Sequence, residues 1–446
     1  MYRSSIGGRD AARPHSGQVR AVYRHALVTL ITPLLPSLAG GRGWSALTLA
    51  VGSALMSWDA APTLRQRFES ALAVLDAAIP RRRRVGRTYQ GFIKALTLRS
   101  PSILGTLILH LRVLTQQAAG GTWRIGGIGG IGGEPGFVPI GADGSRFDAP
   151  RTIANEQLGT AGKDKCGPQM MALLLVHLGT MLPWAWKVAG VRTSERTLLR
   201  GVLHQLPTRT LLVADAGFTG FDLLSDLNDR GHFFLIRVGR AVKLLTRLGS
   251  YRREGRSTVY LWPDLRHARA PLTLRLIRIG EVCLVTNITD PRRLSRKAAA
   301  ELYRRRWGLE VAFRSLKQTL ARRKVRSCTA THAQLELDWS VAGLWMLALL
   351  GARAITGTGH AARRLSIALT LAAVRAARSP GFTIHRLRKR LRCALQDTYR
   401  RIGPKKAYRW PHKKRPTPPP GQPRIAIATP MQVQQARSLR PLQHAA

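Results

Sequence analysis

The sequence predicts an α/β protein: a mixed sheet with a β-rich insertion before a last functional helix, preceded by a helical N-terminal domain. Three observations carry this. Apolar strands alternate with helical segments through the middle of the chain, several β segments crowd together between residues 239 and 288, and an acid-bearing helix follows them. At 446 residues, with 45% hydrophobic content, the chain is long enough for more than one domain and too apolar to be wholly disordered.

Residues 1–115 are rich in Ala, Leu and Arg. Helical periodicity runs through Thr63 to Ile79 and Tyr89 to Leu98, with the run Arg81 to Arg84 between them. This reads as a basic, DNA-contacting helical domain. Residues 116–136 repeat Ile-Gly-Gly at Ile125, Ile128 and Ile131, a composition that cannot bury enough side chain to pack, and read as a linker. No Gly-Lys-Ser/Thr follows it, which argues against a phosphate-cradling loop.

Residues 137–335 are expected to form the catalytic domain. Strands are predicted at Phe137 to Ala142, Ala172 to His177, Trp184 to Val188, Thr210 to Ala214 and Phe233 to Val238, with helices at Ser194 to Leu206 and Phe221 to Arg230. Thr258 to Trp262, Leu272 to Ile279 and Val282 to Thr286 supply the insertion, and Ser295 is a natural N-cap for the helix that follows. Residues 336–402 return to helix, apolar over Trp339 to Ala354 and basic around His385 to Leu395. From Gly403 onward there are nine prolines, nine Lys/Arg and no acid, which predicts a disordered basic tail.

A balance of 72 Lys+Arg against 23 Asp+Glu, +49 in all, implies a polyanionic partner, most economically DNA, because each cation placed at a phosphate releases a counterion. Charge alone would equally suit a ribosomal or chromatin protein. The four cysteines, Cys166, Cys283, Cys328 and Cys393, have no spacing suited to zinc or a redox pair. The apolar stretches Leu27 to Ala39 and Leu344 to Leu350 are too short to span a bilayer, and no signal-peptide pattern stands near Met1. A cytoplasmic, nucleoid-associated protein without membrane partners is expected.

Phosphodiester cleavage at neutral pH generally uses two divalent ions, and Mg²⁺ takes carboxylate oxygens. Acids that end apolar strands are therefore the candidates: Asp143, after Phe137 to Ala142, and Asp215, after Thr210 to Ala214. An Asp-Gly turn is the plainer explanation of Asp143 alone. Asp148, Asp164 and Asp222 compete, but none ends an apolar strand. On the helix from Ser295, Tyr303, Arg306, Glu310 and Lys317 fall on one face, placing a carboxylate among phosphate-seeking groups. A salt-bridge ladder of Arg306, Glu310 and Arg314 would explain Glu310 alone, but it needs neither Tyr303 nor Lys317 in phase.

These residues resemble a family, the DDE transposases of bacterial insertion sequences, in the insertion-sequence-four-type branch with the signature Tyr-x2-Arg-x3-Glu-x6-Lys. Tyr303, Arg306, Glu310 and Lys317 match it without a gap, and tyrosine occurs only eight times in the chain. Asp143-Gly-Ser-Arg resembles the first acidic motif, Ala214-Asp215-Ala-Gly-Phe218 the second, and Val285-Thr286-Asn287 the strand before the third. The resemblance spans roughly residues 85 to 350.

It implies a ribonuclease-H-like fold in which Asp143, Asp215 and Glu310 hold two Mg²⁺ ions, with Mn²⁺ as a substitute. It implies a transposase that excises and integrates its own element, acting on transposon ends and target DNA as a synaptic homodimer. Tyr303, Arg306 and Lys317 would bind phosphates near the cleaved end. A non-catalytic DNA-binding protein or an inactive copy is the alternative. The Gly-Gly-Ile expansion before Asp143 departs from the family pattern. Trp262 is a candidate to hold a flipped base, with a core tryptophan as the plainer reading.

Overall fold

The computed structural model describes residues 25–38, 43–78, 86–125, 136–161, 167–249, 255–262, 269–379, 381–397 and 421–439. Arg81 to Arg84, most of the Ile-Gly-Gly repeat, Asp164 and Cys166 lie outside them. In chain order the helices α1 (Ala26–Ile31), α2 (Ala46–Trp58), α3 (Leu64–Ala78) and α4 (Tyr89–Ala119) come first. Next come β1 (Val138–Asp148), α5 (Ile153–Glu156), β2 (Gln169–His177), β3 (Leu182–Gly190), α6 (Glu195–Arg200), β4 (Thr210–Ala214), α7 (Phe221–Asp229) and β5 (Phe233–Val238). The insertion strands are β6 (Lys243–Thr246), β7 (Thr258–Leu261), β8 (Leu272–Ile279) and β9 (Val282–Thr286). The chain continues with α8 (Arg296–Arg305), α9 (Trp307–Arg314), a π-helical turn (Ser315–Thr319), α10 (Ala330–Thr356), α11 (Ile367–Ala376) and α12 (Ile384–Arg392). Last come β10 (Arg424–Ile427) and α13 (Pro430–Ser438).

All ten strands form one mixed sheet in the order β10-β6-β7-β8-β9-β5-β4-β1-β2-β3. β1, β2 and β3 are an antiparallel meander, while β4 runs parallel to β1 and β5 parallel to β4. The insertion therefore lengthens the sheet: β9 returns antiparallel to β5, and β8, β7 and β6 add beyond it.

Period-two alternation divides each central strand between two cores. In β4, Leu211 and Val213 face the helical layer, and Leu212 and Ala214 face α6 and α7. In β1, Phe147 joins the first core, and Val138, Ile140 and Ala142 join the second.

The helical layer is built around α10, which packs on α2, α4, β3, α11 and α12, so helices from both ends of the chain share one core. Trp339 and Trp345 donate their indole N–H groups to Ser100 and Thr115 of α4. Arg322, 1% exposed, donates to the carbonyls of Met56, Ser57 and Leu320 and to the Ser340 hydroxyl, which clamps the end of the signature segment to α2 and α10.

Several expectations need correction. α4 does not stop near Leu98; it continues through Pro101 to Ala119. The proline sits on the exposed side while Leu96, Ile103, Leu107 and Leu111 keep the helical period on the buried side, and their burial outweighs one lost hydrogen bond. α4 and α10 are also long and apolar enough to cross a bilayer, against the reading that no stretch is. The apolar window of α10 is 83% buried inside the molecule, as in a core helix, and that of α4 is 28% buried.

The tail is not structureless from Gly403 onward. β10 pairs in parallel with β6, and α13, closed by a Thr429–Gln432 capping box, packs Ala436 and Val433 on Leu245, Leu248 and Tyr260. Trp262 packs partly buried against this small core, which supports the plainer of its two readings.

Candidate active site

The parallel register of β1 and β4 pairs Ala142 with Ala214, so Asp143 and Asp215 are the next residues on neighbouring strands. Asp143 does not end its strand. β1 runs on to Asp148, paired with β2, so the Asp-Gly turn is ruled out; what ends after Ala142 is the pairing with β4. Where the two strands part, their acids are free to face a shared cleft. Asp143 accepts the Gly144 N–H at 3.0 Å, and Asp215, at the start of a 3₁₀ turn, accepts the Ala216 N–H at 2.7 Å.

The signature residues arrive on α8 and α9, capped by Ser295. The helix is not continuous: it is interrupted at Arg306 and ends in the π-helical turn that carries Lys317. All four signature side chains nevertheless reach the site. The Tyr303 hydroxyl donates to Asp215 at 3.1 Å, and Lys317 Nζ donates to the Ser145 hydroxyl at 2.8 Å, above the Phe147 ring.

Arg306, 7% exposed, extends its guanidinium between the acids. Its Nη atoms stand 4.0 Å from Asp143, 3.7 Å from Asp215 and 3.8 Å from Glu310. These are ion-pair separations beyond hydrogen-bond length, and its buried Nε has no hydrogen-bond partner. No ion pair joins Glu310 to Arg314 among the described residues, so the ladder does not form.

Close backbone approach seats α9. A Cβ on Gly141 would lie 2.6 Å from Leu309 and 2.7 Å from Leu178, so glycine is what lets Leu309 bed onto β1 and bring Glu310 beside Asp143.

The electrostatics follow from this crowding. Burial, with the Glu195 and Glu310 carboxylates nearby, raises Asp143 to about 6, against the pull of Arg306 and the Gly144 N–H. Burial raises Glu195, with Asp215 adding to the effect, and raises Tyr303 beside Asp215; burial lowers Lys317.

Asp143, Asp215 and Glu310 thus surround one guanidinium. Among the described residues no three of His, Cys, Asp and Glu are gathered tightly enough to enclose one ion, because Arg306 stands between the acids. The donor set, all carboxylate oxygen with an incompletely bonded cation among it, is of the kind a hard divalent cation takes. Asp148 instead receives the Gln169 amide, and Asp222 lies in the first turn of α7. Glu195 went unread in the sequence. Its only signal was a pair of glycines, Gly144 and Gly217, each just after a candidate acid.

Residues 140–347 match a family described as the transposase DDE domain, a segment that contains Asp143, Asp215 and the whole signature. Within that class, the chain is 26% identical over 208 residues to the transposase InsG for insertion sequence element IS4 of Escherichia coli (strain K12). That match covers 43% of this chain and 46% of the relative, so the chain spans less than half the length of the curated relative it matches. A solved structure, the cryo-EM piggyBac transposase synaptic complex with hairpin DNA, covers 91% of this chain and 81% of its own at a TM-score of 0.34 and 13% identity. That is too low to assign a role to any residue. The resemblance read from the signature thus holds, and it is to DDE transposases of the IS4 type.

Proposed function

We propose that the chain is a DNA transposase that cleaves and joins phosphodiesters at the ends of its own element and in target DNA. The observation that carries this is Arg306 among Asp143, Asp215 and Glu310, three acids from remote segments gathered in a chain of charge +49. A merely DNA-binding protein has no use for acids around a buried arginine, where they repel phosphate. The sheet order β3-β2-β1-β4-β5, antiparallel across the first three strands and parallel across the rest, supports the ribonuclease-H-like reading.

Asp143, Asp215 and Glu310 would hold divalent cations, Mg²⁺ or Mn²⁺ and two by chemical analogy, which activate the attacking oxygen and support the leaving one. Arg306 offers a planar fork to a phosphate at the cleaved end, Lys317 a point charge, and the Tyr303 hydroxyl holds Asp215 in place. The basic helix α12, with Lys389, Arg390 and Arg392 in its last turn, suits the flanking backbone. A homodimer on paired ends and a cytoplasmic, nucleoid-associated site of action complete the proposal.

Replacing Asp215 by Ala tests it. Mg²⁺-dependent strand cleavage should be lost while DNA affinity stays, and cleavage that survives would refute the assignment of the acids.

A further inference from the structure

Gly144 and Gly217, which follow Asp143 and Asp215, both press on Glu195. A Cβ on Gly144 would stand 2.2 Å from Glu195 Oε1, and one on Gly217 would stand 3.3 Å from Oε2. The backbone after each strand acid is therefore cut away for the same carboxylate, which arrives on α6, a fourth segment of the chain.

Glu195 has no structural duty that explains this placement. Ser194 already caps the helix by accepting the Thr197 N–H, and Arg196 turns away to the Thr219 carbonyl. Among the described residues Glu195 makes no hydrogen bond and no ion pair within 4 Å. A half-buried carboxylate without a partner is costly and persists where a ligand compensates it. A second observation points the same way: Arg306, nine-tenths buried among the neighbouring acids, has an orphaned Nε and no carboxylate at bonding distance.

We propose that Glu195 is a fourth carboxylate of the active site, supplying an oxygen to the divalent cations assigned to Asp143 and Asp215. This rests on the transposase reading above. The chemistry is consistent, since Mg²⁺ and Mn²⁺ take hard oxygen donors and leave positions for water and phosphate. No bond to DNA is made or broken by Glu195 itself.

The test compares the full-length chain with Glu195→Gln, Gly144→Ala and the surface control Glu156→Gln. The readouts are Mn²⁺ binding by calorimetry, Mg²⁺-dependent strand cleavage, DNA affinity and thermal midpoint. Glu195→Gln should weaken Mn²⁺ binding by about tenfold or more and slow cleavage at least as much, with DNA affinity and midpoint unchanged. Gly144→Ala keeps every acid but displaces Glu195, and it should lower Mn²⁺ affinity in the same direction.

Mn²⁺ affinity within twofold of wild type in Glu195→Gln would overturn the proposal, even if cleavage fell. A wild-type chain that neither bound Mn²⁺ nor cleaved would overturn the transposase reading with it. Loss of cleavage in Asp215→Ala beside normal metal binding in Glu195→Gln would remove this proposal alone.

Discussion

Replacing Gly141 by Ala tests whether the seating of α9 on β1 sets the active geometry. The new methyl would fall 2.6 Å from Leu309 and 2.7 Å from Leu178, against ordinary contacts of about 3.5 to 4 Å. Both leucines are fully buried, so relief requires α9 to lift by roughly 1 Å. Overpacking of this kind costs about 1 to 3 kcal/mol. Glu310 directly follows Leu309 and moves with it, and a misplacement of about 1 Å at a reacting site costs on the order of 100-fold in rate.

Urea denaturation and Mg²⁺-dependent strand cleavage should show both losses, with DNA affinity kept. Adding Leu309→Ala should recover part of the Gly141→Ala penalty, because the clash partner is gone, a coupling that a double-mutant cycle resolves. Wild-type cleavage together with a stability loss below about 0.5 kcal/mol would refute the claim that this contact positions Glu310.

Three further outcomes follow from the same geometry. Asp143, raised to about 6 from 3.8, binds a proton more readily folded than unfolded, so it destabilises the metal-free fold above pH 6 and ceases to do so below pH 4. Asp143→Asn should therefore be more stable than wild type above pH 6, by on the order of 2 to 3 kcal/mol, with the gap closing as pH falls to 4, measured by denaturant titration across pH. Arg322→Ala should cost about 3 to 5 kcal/mol in the same assay, because it strands the carbonyls of Met56, Ser57 and Leu320. Truncation after residue 420 should leave the backbone of β6 without its β10 partner, and hydrogen exchange at residues 243–246 should rise.

Much of the sheet was legible because its strands are short apolar runs bounded by turns: Thr210–Ala214, Phe233–Val238, Leu272–Ile279 and Val282–Thr286 agree with their predicted limits. Less legible were features decided by partners far away in sequence. β1 extends past Asp143 because β2 pairs with it, α4 crosses Pro101 because α10 covers its other face, and β10 forms only because β6 offers an open edge. Asp143, Asp215, Glu310 and the signature face could be nominated from chemistry and spacing. That Arg306 stands among the three acids, and that Glu195 joins them, depends on how α6 and α9 meet the sheet, which no local pattern encodes.

The central claim is that the acids around Arg306 are a metal-dependent cleavage centre. Its most direct test is strand cleavage of DNA carrying the ends of the element, with Mg²⁺ or Mn²⁺, by wild type beside Asp143→Asn, Asp215→Ala and Glu310→Gln at matched DNA occupancy. The prediction is cleavage by wild type alone, with all four proteins binding the DNA equally. Cleavage by the three variants at the wild-type rate would contradict it.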